Sequence, residues 1–207
     1  MQQPSIPSGN PGFWDQRYGE PGWAYGTEPN DFLRSEANRI PLGEVLCLAE
    51  GEGRNAVYLA GLGYQVEAID QSSTGLAKAV ALAAQKSVTI RTMQADLVEF
   101  DPGRSRWQGI VSIFVHLPAP LRRLIHGRMV QALAPGGLLL LEAYAPAQLA
   151  IGTGGPKEPE RLCSLDELVV DFEGLEPLIS RELQRDIQEG KYHQGNGAVL
   201  QFLGRKP

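Results

Sequence analysis

The sequence predicts one doubly wound α/β domain, with a mostly parallel seven-stranded sheet and a C-terminal antiparallel hairpin. Three observations carry this expectation. Short apolar runs alternate with longer amphipathic stretches between Glu44 and Ala143, and such alternation implies parallel strands joined by right-handed crossovers. A glycine-rich loop follows the first apolar run. Two extended segments close the chain with no room between them for a crossover helix, so they must pair antiparallel.

In chain order, Glu44 to Ala49 reads as the first strand and Arg54 to Leu62 as a helix that turns at Gly63. Gln65 to Ile69 is a second strand, and the alanine-rich Ser73 to Gln85 is a helix with serine at its start. Val88 to Gln94 is a third strand. Ile110 to Val115 is a fourth, an apolar run that suits a strand covered on both faces. Leu121, Leu124, Ile125, Met129, Ala132 and Leu133 share one helical face. That helix starts at Pro118 or Pro120, where proline is tolerated, and ends before Pro135-Gly136-Gly137. Leu138 to Ala143 is a fifth, buried strand. Ser164 to Phe172 reads as a helix, and Ser164 with Glu167 has capping-box spacing. The closing hairpin comprises Glu176 to Gln188 and Ala198 to Gly204, joined by the polar stretch Glu189 to Gly197.

Residues 1–40 are expected to form an N-terminal cap, and 41–207 the domain proper. The cap is dense in aromatics (Phe13, Trp14, Tyr18, Trp23, Tyr25 and Phe32), and Asn30 or Asp31 can cap a helix running to Arg39. Two roles stay open for these rings: packing on the sheet, or forming a lid over a ligand.

The chain has 207 residues, 43% hydrophobic and 21% charged, which is enough for one domain with a sizeable core. Its 19 basic and 24 acidic residues give a net charge of −5. That balance carries no electrostatic footprint for nucleic acid or an anionic membrane, so a small-molecule partner is expected. Cys47 and Cys163 form no CxxC pair, so no cysteine-based metal site is expected, and two reduced thiols suit the cytoplasm. The Pro- and Gly-rich stretch Met1 to Gly12 lacks a signal-peptide layout. No apolar run approaches the roughly 20 residues that span a bilayer. Oligomeric state is not legible.

The most informative stretch is Leu46-Cys47-Leu48-Ala49-Glu50-Gly51-Glu52-Gly53-Arg54-Asn55, between the first strand and the first helix. Glycines there let backbone approach a ligand, and a helix start offers free N–H groups. Asp70 ends the second strand about 20 residues on, where an acid can accept from ribose hydroxyls. Loop and acid together predict an adenosine-type cofactor.

With Trp14-Asp15-Gln16-Arg17-Tyr18, Tyr25-Gly26-Thr27-Glu28-Pro29 and Leu133-Ala134-Pro135-Gly136-Gly137, this loop gives the chain a family likeness over nearly its whole length. It resembles the class I S-adenosylmethionine-dependent methyltransferases, and within them looks like the tellurite-resistance and thiopurine methyltransferase relatives. The resemblance implies a Rossmann-like fold, S-adenosyl-L-methionine as cofactor and a small methyl acceptor such as a thiol or metalloid oxyanion. It places adenine contacts at Asp96 and Leu97, and the floor of the cofactor site between Ser112 and Leu117, Phe114 included. The expected cofactor set is completed by Glu50, Gly51, Glu52, Gly53 and Asn55 of the loop, by Asp70, Gln71 and Ser72, and by Tyr25. The chain departs from the family motif, acid-x-G-x-G-x-G, at two positions: Cys47 stands where the acid belongs, and Ala49 replaces the first glycine. In the family that acid helps hold the cofactor's methionine end. Glu50 and Glu52 are both candidates for a replacement charge.

Methyl transfer from a sulfonium needs alignment and exclusion of water more than it needs acid–base help. Of the three histidines, His126 is expected at the surface of its helix, while His116 lies on the ligand side of the sheet. His193, in Glu189-Gly190-Lys191-Tyr192-His193-Gln194-Gly195, resembles the segment that the tellurite-resistance relatives place near the substrate. His193 and His116 are therefore the catalytic candidates, each with an alternative as an ordinary loop histidine. Gly152 to Lys157 reads as a substrate-side loop. Two other functions compete: a nicotinamide-dependent oxidoreductase, which calls for an all-parallel sheet, and a non-catalytic adenosyl-cofactor-binding protein.

Overall fold

The structure, a computed structural model, describes residues 11–207. The first ten residues of the expected cap lie outside the described part. Seven strands form one sheet: β1 (Glu44–Leu48), β2 (Gln65–Asp70), β3 (Arg91–Gln94), β4 (Trp107–Ile113), β5 (Leu133–Tyr144), β6 (Glu176–Glu189) and β7 (His193–Arg205). Their order is β3-β2-β1-β4-β5-β7-β6. The first five run parallel, and β7 pairs antiparallel with both β5 and β6. The helices are α1 (Pro11–Tyr18), α2 (Asp31–Glu36), α3 (Arg54–Gly61), α4 (Ser73–Gln85), α5 (Ala119–Ala132), α6 (Gln148–Ile151) and α7 (Leu165–Asp171).

The central strands β1, β4 and β5 are largely apolar because both of their faces are covered. On β1, Val45 and Cys47 face a cluster holding Phe32, Leu33, Ala56 and Leu59 from α2 and α3. Leu46 and Leu48 face the other layer, with Ile125 and Met129 of α5 and Leu168 of α7. Strand order reverses between β1 and β4, and at such a switch point the strand ends leave a crevice for a ligand.

Most expected elements form within a few residues of their predicted bounds. β3 begins at Arg91 rather than Val88 because it is the exposed edge strand; Val88 and Ile90 instead pack against Val57, Leu82 and Ala83. The expected hairpin loop Glu189 to Gly197 is shorter than predicted. Pairs Gln188↔Gln194 and Glu189↔His193 extend the ladder, so only residues 190–192 make the turn. Ser164 and Glu167 form the capping box their spacing predicts. Asn30 caps α2 through Leu33 N–H, and a 3-10 turn then continues to Arg39.

His126 corrects its expectation. Its side chain is buried, stacks on Phe172 at 4.4 Å, and places Nδ1 3.0 Å from Asp171 Oδ2. Arg122 Nε donates to the same oxygen at 2.6 Å. The exposed face of α5 is covered by α7, a tertiary contact that helical periodicity does not reveal.

The N-terminal segment docks on α4 and on the loop after β1. Asp15 Oδ1 accepts from Ser72 Oγ and from Thr74 N–H at 3.2 Å, which caps the start of α4 from outside its own chain segment. No described helix is long and apolar enough to cross a membrane. Among the described residues no group of His, Cys, Asp or Glu is arranged to hold a metal ion.

Candidate active site

A cavity of about 1090 Å³ lies over the carboxyl ends of the strands at the switch point, between the sheet and the N-terminal segment. Of the expected site residues, Tyr25, Glu50, Glu52, Asn55, Asp70, Gln71, Asp96, Leu97, Phe114, His116 and His193 line it. Gly51, Gly53, Ser72 and Ser112 do not; they shape the walls from behind.

The loop after β1 has left-handed backbone at Ala49 (φ 45°), Gly51 (φ 60°) and Gly53 (φ 89°). Ala49 adopts a conformation that ordinarily favours glycine. The two glycines also permit close protein packing. A Cβ at Gly51 would lie 2.5 Å from Tyr18 Oη, and one at Gly53 2.5 Å from the Ala79 Cβ. Gly51 N–H donates to Asp70 Oδ2 at 2.8 Å, and Ser72 N–H to Asp70 Oδ1 at 2.8 Å, so the acid at the end of β2 is fixed beside the loop. Burial raises its carboxyl despite these two donors.

The two glutamates of the loop have different fates. Glu52 Oε2 accepts from Ala24 N–H at 2.7 Å, and its Oε1 accepts from Lys78 Nζ at 2.9 Å, so both oxygens bolt the N-terminal segment to α4. Glu50 Oε1 instead accepts from Asn55 and Ala56 N–H at 2.8 and 2.9 Å, satisfying the start of α3. Burial pushes the Glu50 carboxyl up to about 7, against those donors and the nearby Arg54 charge.

The opposite wall is aromatic. Phe114, at the end of β4, has left-handed backbone (φ 54°) and donates its N–H to Glu142 O. His116 lies stacked beside Phe114 and Tyr144, with Nε2 accepting from Tyr144 N–H at 3.1 Å. Burial lowers its pKa to about 4, so it is neutral. The His193 ring lies 4.5 Å from Phe114 and 4.6 Å from Tyr25. Its Nδ1 is sealed from solvent and has no hydrogen-bond partner among the described residues. Burial first, then the Arg54 charge, holds His193 well below the usual imidazole range.

Arg54 is a site residue that sequence reasoning passed over, although it follows the last loop glycine directly. Its Nη2 lies 2.5 Å from Glu189 Oε2, an ion pair outside good hydrogen-bond angles, while Nη1 is buried with no partner among the described residues. Glu189 Oε1 also accepts from Arg185 Nη2 and Asn30 Nδ2. Arg185 reaches on to Glu142, which is wholly buried on β5. Arg17 was passed over too: it lines the cavity, donates to Tyr25 Oη at 3.0 Å and lies 4.2 Å from the Tyr192 ring centre. An aromatic-rich helix carrying one arginine was the available signal.

Residues 45–137 match a family model described as a methyltransferase domain. A comparison with curated proteins gives no match. Several solved structures share the fold. One, described as "Conversion of a Disulfide Bond into a Thioacetal Group during Echinomycin Biosynthesis", is 20% identical with a TM-score of 0.73, over 90% of this chain and 84% of that one. TehB from Haemophilus influenzae is 20% identical with a TM-score of 0.70, over 94% of this chain and 66% of its own. The N-methyltransferase NodS from Bradyrhizobium japonicum WM9, in complex with S-adenosyl-L-homocysteine, is 16% identical with a TM-score of 0.65, over 95% and 97%.

The strand order, the loop with its paired acid and the matched domain define the class: the chain is an S-adenosylmethionine-dependent methyltransferase of the class I fold. The antiparallel β7 is the arrangement that separates this class from the all-parallel dehydrogenase alternative. The cavity fits the cofactor: it is at the upper end of ordinary ligand pockets, has a fixed acid at the β2 end and contains buried polar atoms without partners.

Proposed function

We propose that the chain methylates a small, soft nucleophile, a thiol or a metalloid oxyanion. The observation that carries this reading is a pair of sealed atoms on cavity-lining side chains that have no hydrogen-bond partner among the described residues, His193 Nδ1 and Arg54 Nη1. A buried polar atom without a partner costs free energy that an arriving ligand group recovers. Arg54 Nη1 donates to an anionic acceptor atom. Neutral His193 accepts a hydrogen bond from a protonated acceptor and so orients it. Likeness to the tellurite-resistance and thiopurine methyltransferase relatives supports this acceptor class, and one similar fold is named for chemistry at sulfur.

S-adenosylmethionine, when bound, supplies an electrophilic methyl group on a good leaving group. The chain's part is to hold, align and keep dry. Asp70 is the ribose acceptor, Asp96 and Leu97 flank the adenine, and Gln71, Asn55 and Phe114 line the rest of the cofactor's path. Asp96 Oδ1 already accepts from Val98 N–H at 2.9 Å, which aims the carboxylate without a helix to cap. His116 acts by position: its Nε2 lone pair is taken by Tyr144 N–H, so it braces the aromatic wall rather than moving a proton. The segment from α1 to Tyr25 serves as a lid, with Phe13, Trp14 and Arg17 over the cavity. Buried free thiols at Cys47 and Cys163 suit a reducing, cytoplasmic setting.

The test has two parts. Calorimetry with S-adenosylhomocysteine must show binding; none at millimolar ligand sinks the reading. Thiols and selenium or tellurium oxyanions are then screened for S-adenosylhomocysteine production. Turnover with any of them excludes the non-catalytic alternative, while binding without turnover across the panel supports it.

A further inference from the structure

The acid that usually holds the cofactor's methionine end is missing, because position 47 is a wholly buried cysteine that does not line the cavity. Two carboxylates in the loop are candidates to replace it, and the geometry separates them. Glu52 spends both oxygens on Ala24 and Lys78. Glu50 lines the cavity at 9% exposure and spends only Oε1, on the two N–H groups that open α3. Among the described residues no donor forms a hydrogen bond with its Oε2. Its negative charge is felt by the Cys47 thiol, so this carboxylate stands beside the position the family's acid would occupy.

We infer that Glu50 Oε2 is the acceptor for the α-ammonium of the cofactor's methionine end, replacing the acid lost at position 47. This rests on the cofactor reading above. Two backbone donors pin Oε1 and so fix the direction of Oε2 before any ligand arrives. The longer glutamate side chain, issued from three residues further along a loop that turns left-handed at Ala49, reaches the same neighbourhood as a shorter acid on β1. The charged groups around it are Arg54 and Asp70, and the neutral Tyr18 phenol is nearby. Burial leaves this carboxylate under-compensated, and an arriving ammonium completes its charge balance.

The experiment compares three adenosyl compounds by calorimetry: S-adenosylhomocysteine, its deaminated analogue and 5′-methylthioadenosine, which lacks the amino-acid end. The native chain is expected to prefer S-adenosylhomocysteine over the deaminated analogue by about 10- to 100-fold. In Glu50→Gln the two should bind alike, with methylthioadenosine affinity unchanged. A preference that survives in E50Q, or that is absent from the native chain, overturns the assignment. If E50Q does not fold, E50D takes its place: a preference reduced at least about 3-fold supports the assignment, and an unchanged one overturns it. Failure of all three compounds to bind the native chain defeats the cofactor reading itself, and this assignment with it.

Discussion

Arg54 at the start of α3 and Glu189 at the end of β6 form a buried ion pair, Nη2 to Oε2 at 2.5 Å. It joins the start of α3, beside the cofactor loop, to the terminal hairpin. Glu189 also answers Arg185, which keeps Glu142, so its loss strands the buried Arg54 and weakens the hold on Arg185. Glu189→Gln should cost about 3–5 kcal/mol, read by urea unfolding at neutral pH. Burial raises the Glu189 carboxyl, but Arg54 and Arg185 outweigh it and hold it below the ordinary range. The pair's stabilisation is therefore present above the unfolded pKa and lost as pH falls through the folded one. The difference between native and E189Q should shrink in acid; a difference constant down to about pH 3 contradicts this account.

Glu50 has the opposite sign. Its folded pKa of about 7 lies above the ordinary value of 4.5, so the folded chain holds a proton that the unfolded chain has released. Stability is then highest below the ordinary value and falls as pH rises through this window. E50Q removes the cost: it should be more stable than the native chain by up to about 3 kcal/mol near pH 8, and equal to it near pH 4. Denaturant midpoints at the two pH values check this.

His193 should matter for turnover and not for cofactor binding. His193→Ala is expected to lower kcat about 10-fold or more with a protonated thiol acceptor by removing the group that orients it, leaving S-adenosylhomocysteine affinity within about 3-fold. Because burial and Arg54 keep this imidazole neutral, the native pH–rate profile should show no inflection near the ordinary histidine value. A limb at that pH which disappears in H193A argues against the neutral assignment.

Asp171 provides a contrast away from the cavity. It holds Arg122 and His126 between α5 and α7, with a carboxyl that those partners keep low although burial raises it. Asp171→Asn should lower stability by about 3 kcal/mol by stranding Arg122, with cofactor affinity unchanged. Thermal unfolding and calorimetry on the one variant read both.

The alternation of apolar runs and the absence of a crossover before the last strand made the sheet and its antiparallel end legible in the sequence. So were the loop and Asp70, because strand ends locate them without tertiary detail; Asp96, Phe114 and His193, which line the cavity, were named through the family resemblance. The partnering of polar side chains was not legible. Glu50 and Glu52 are indistinguishable as letters and differ only in which distant groups reach them, Ala24 and Lys78 for one, the start of α3 for the other. Arg54 and Glu189 lie 135 positions apart by number, and His126 is buried by a helix that follows it. Such pairings are fixed by the assembled layers and leave no local period to read.

Tyr192 Oη donates to Glu20 across a sequence separation of 172 residues, and Lys191 N–H donates to Ala24 O beside it. Contacts of that span bring little until the intervening sheet exists, since loop closure must be met first. The rim of the cavity is thus assembled late, and its contacts are the kind that part by sub-global opening while the strands stay paired. Ligand capture in this protein reports on the completeness of folding at both chain ends, and amide exchange at Lys191 is the natural clock for how often the rim comes apart.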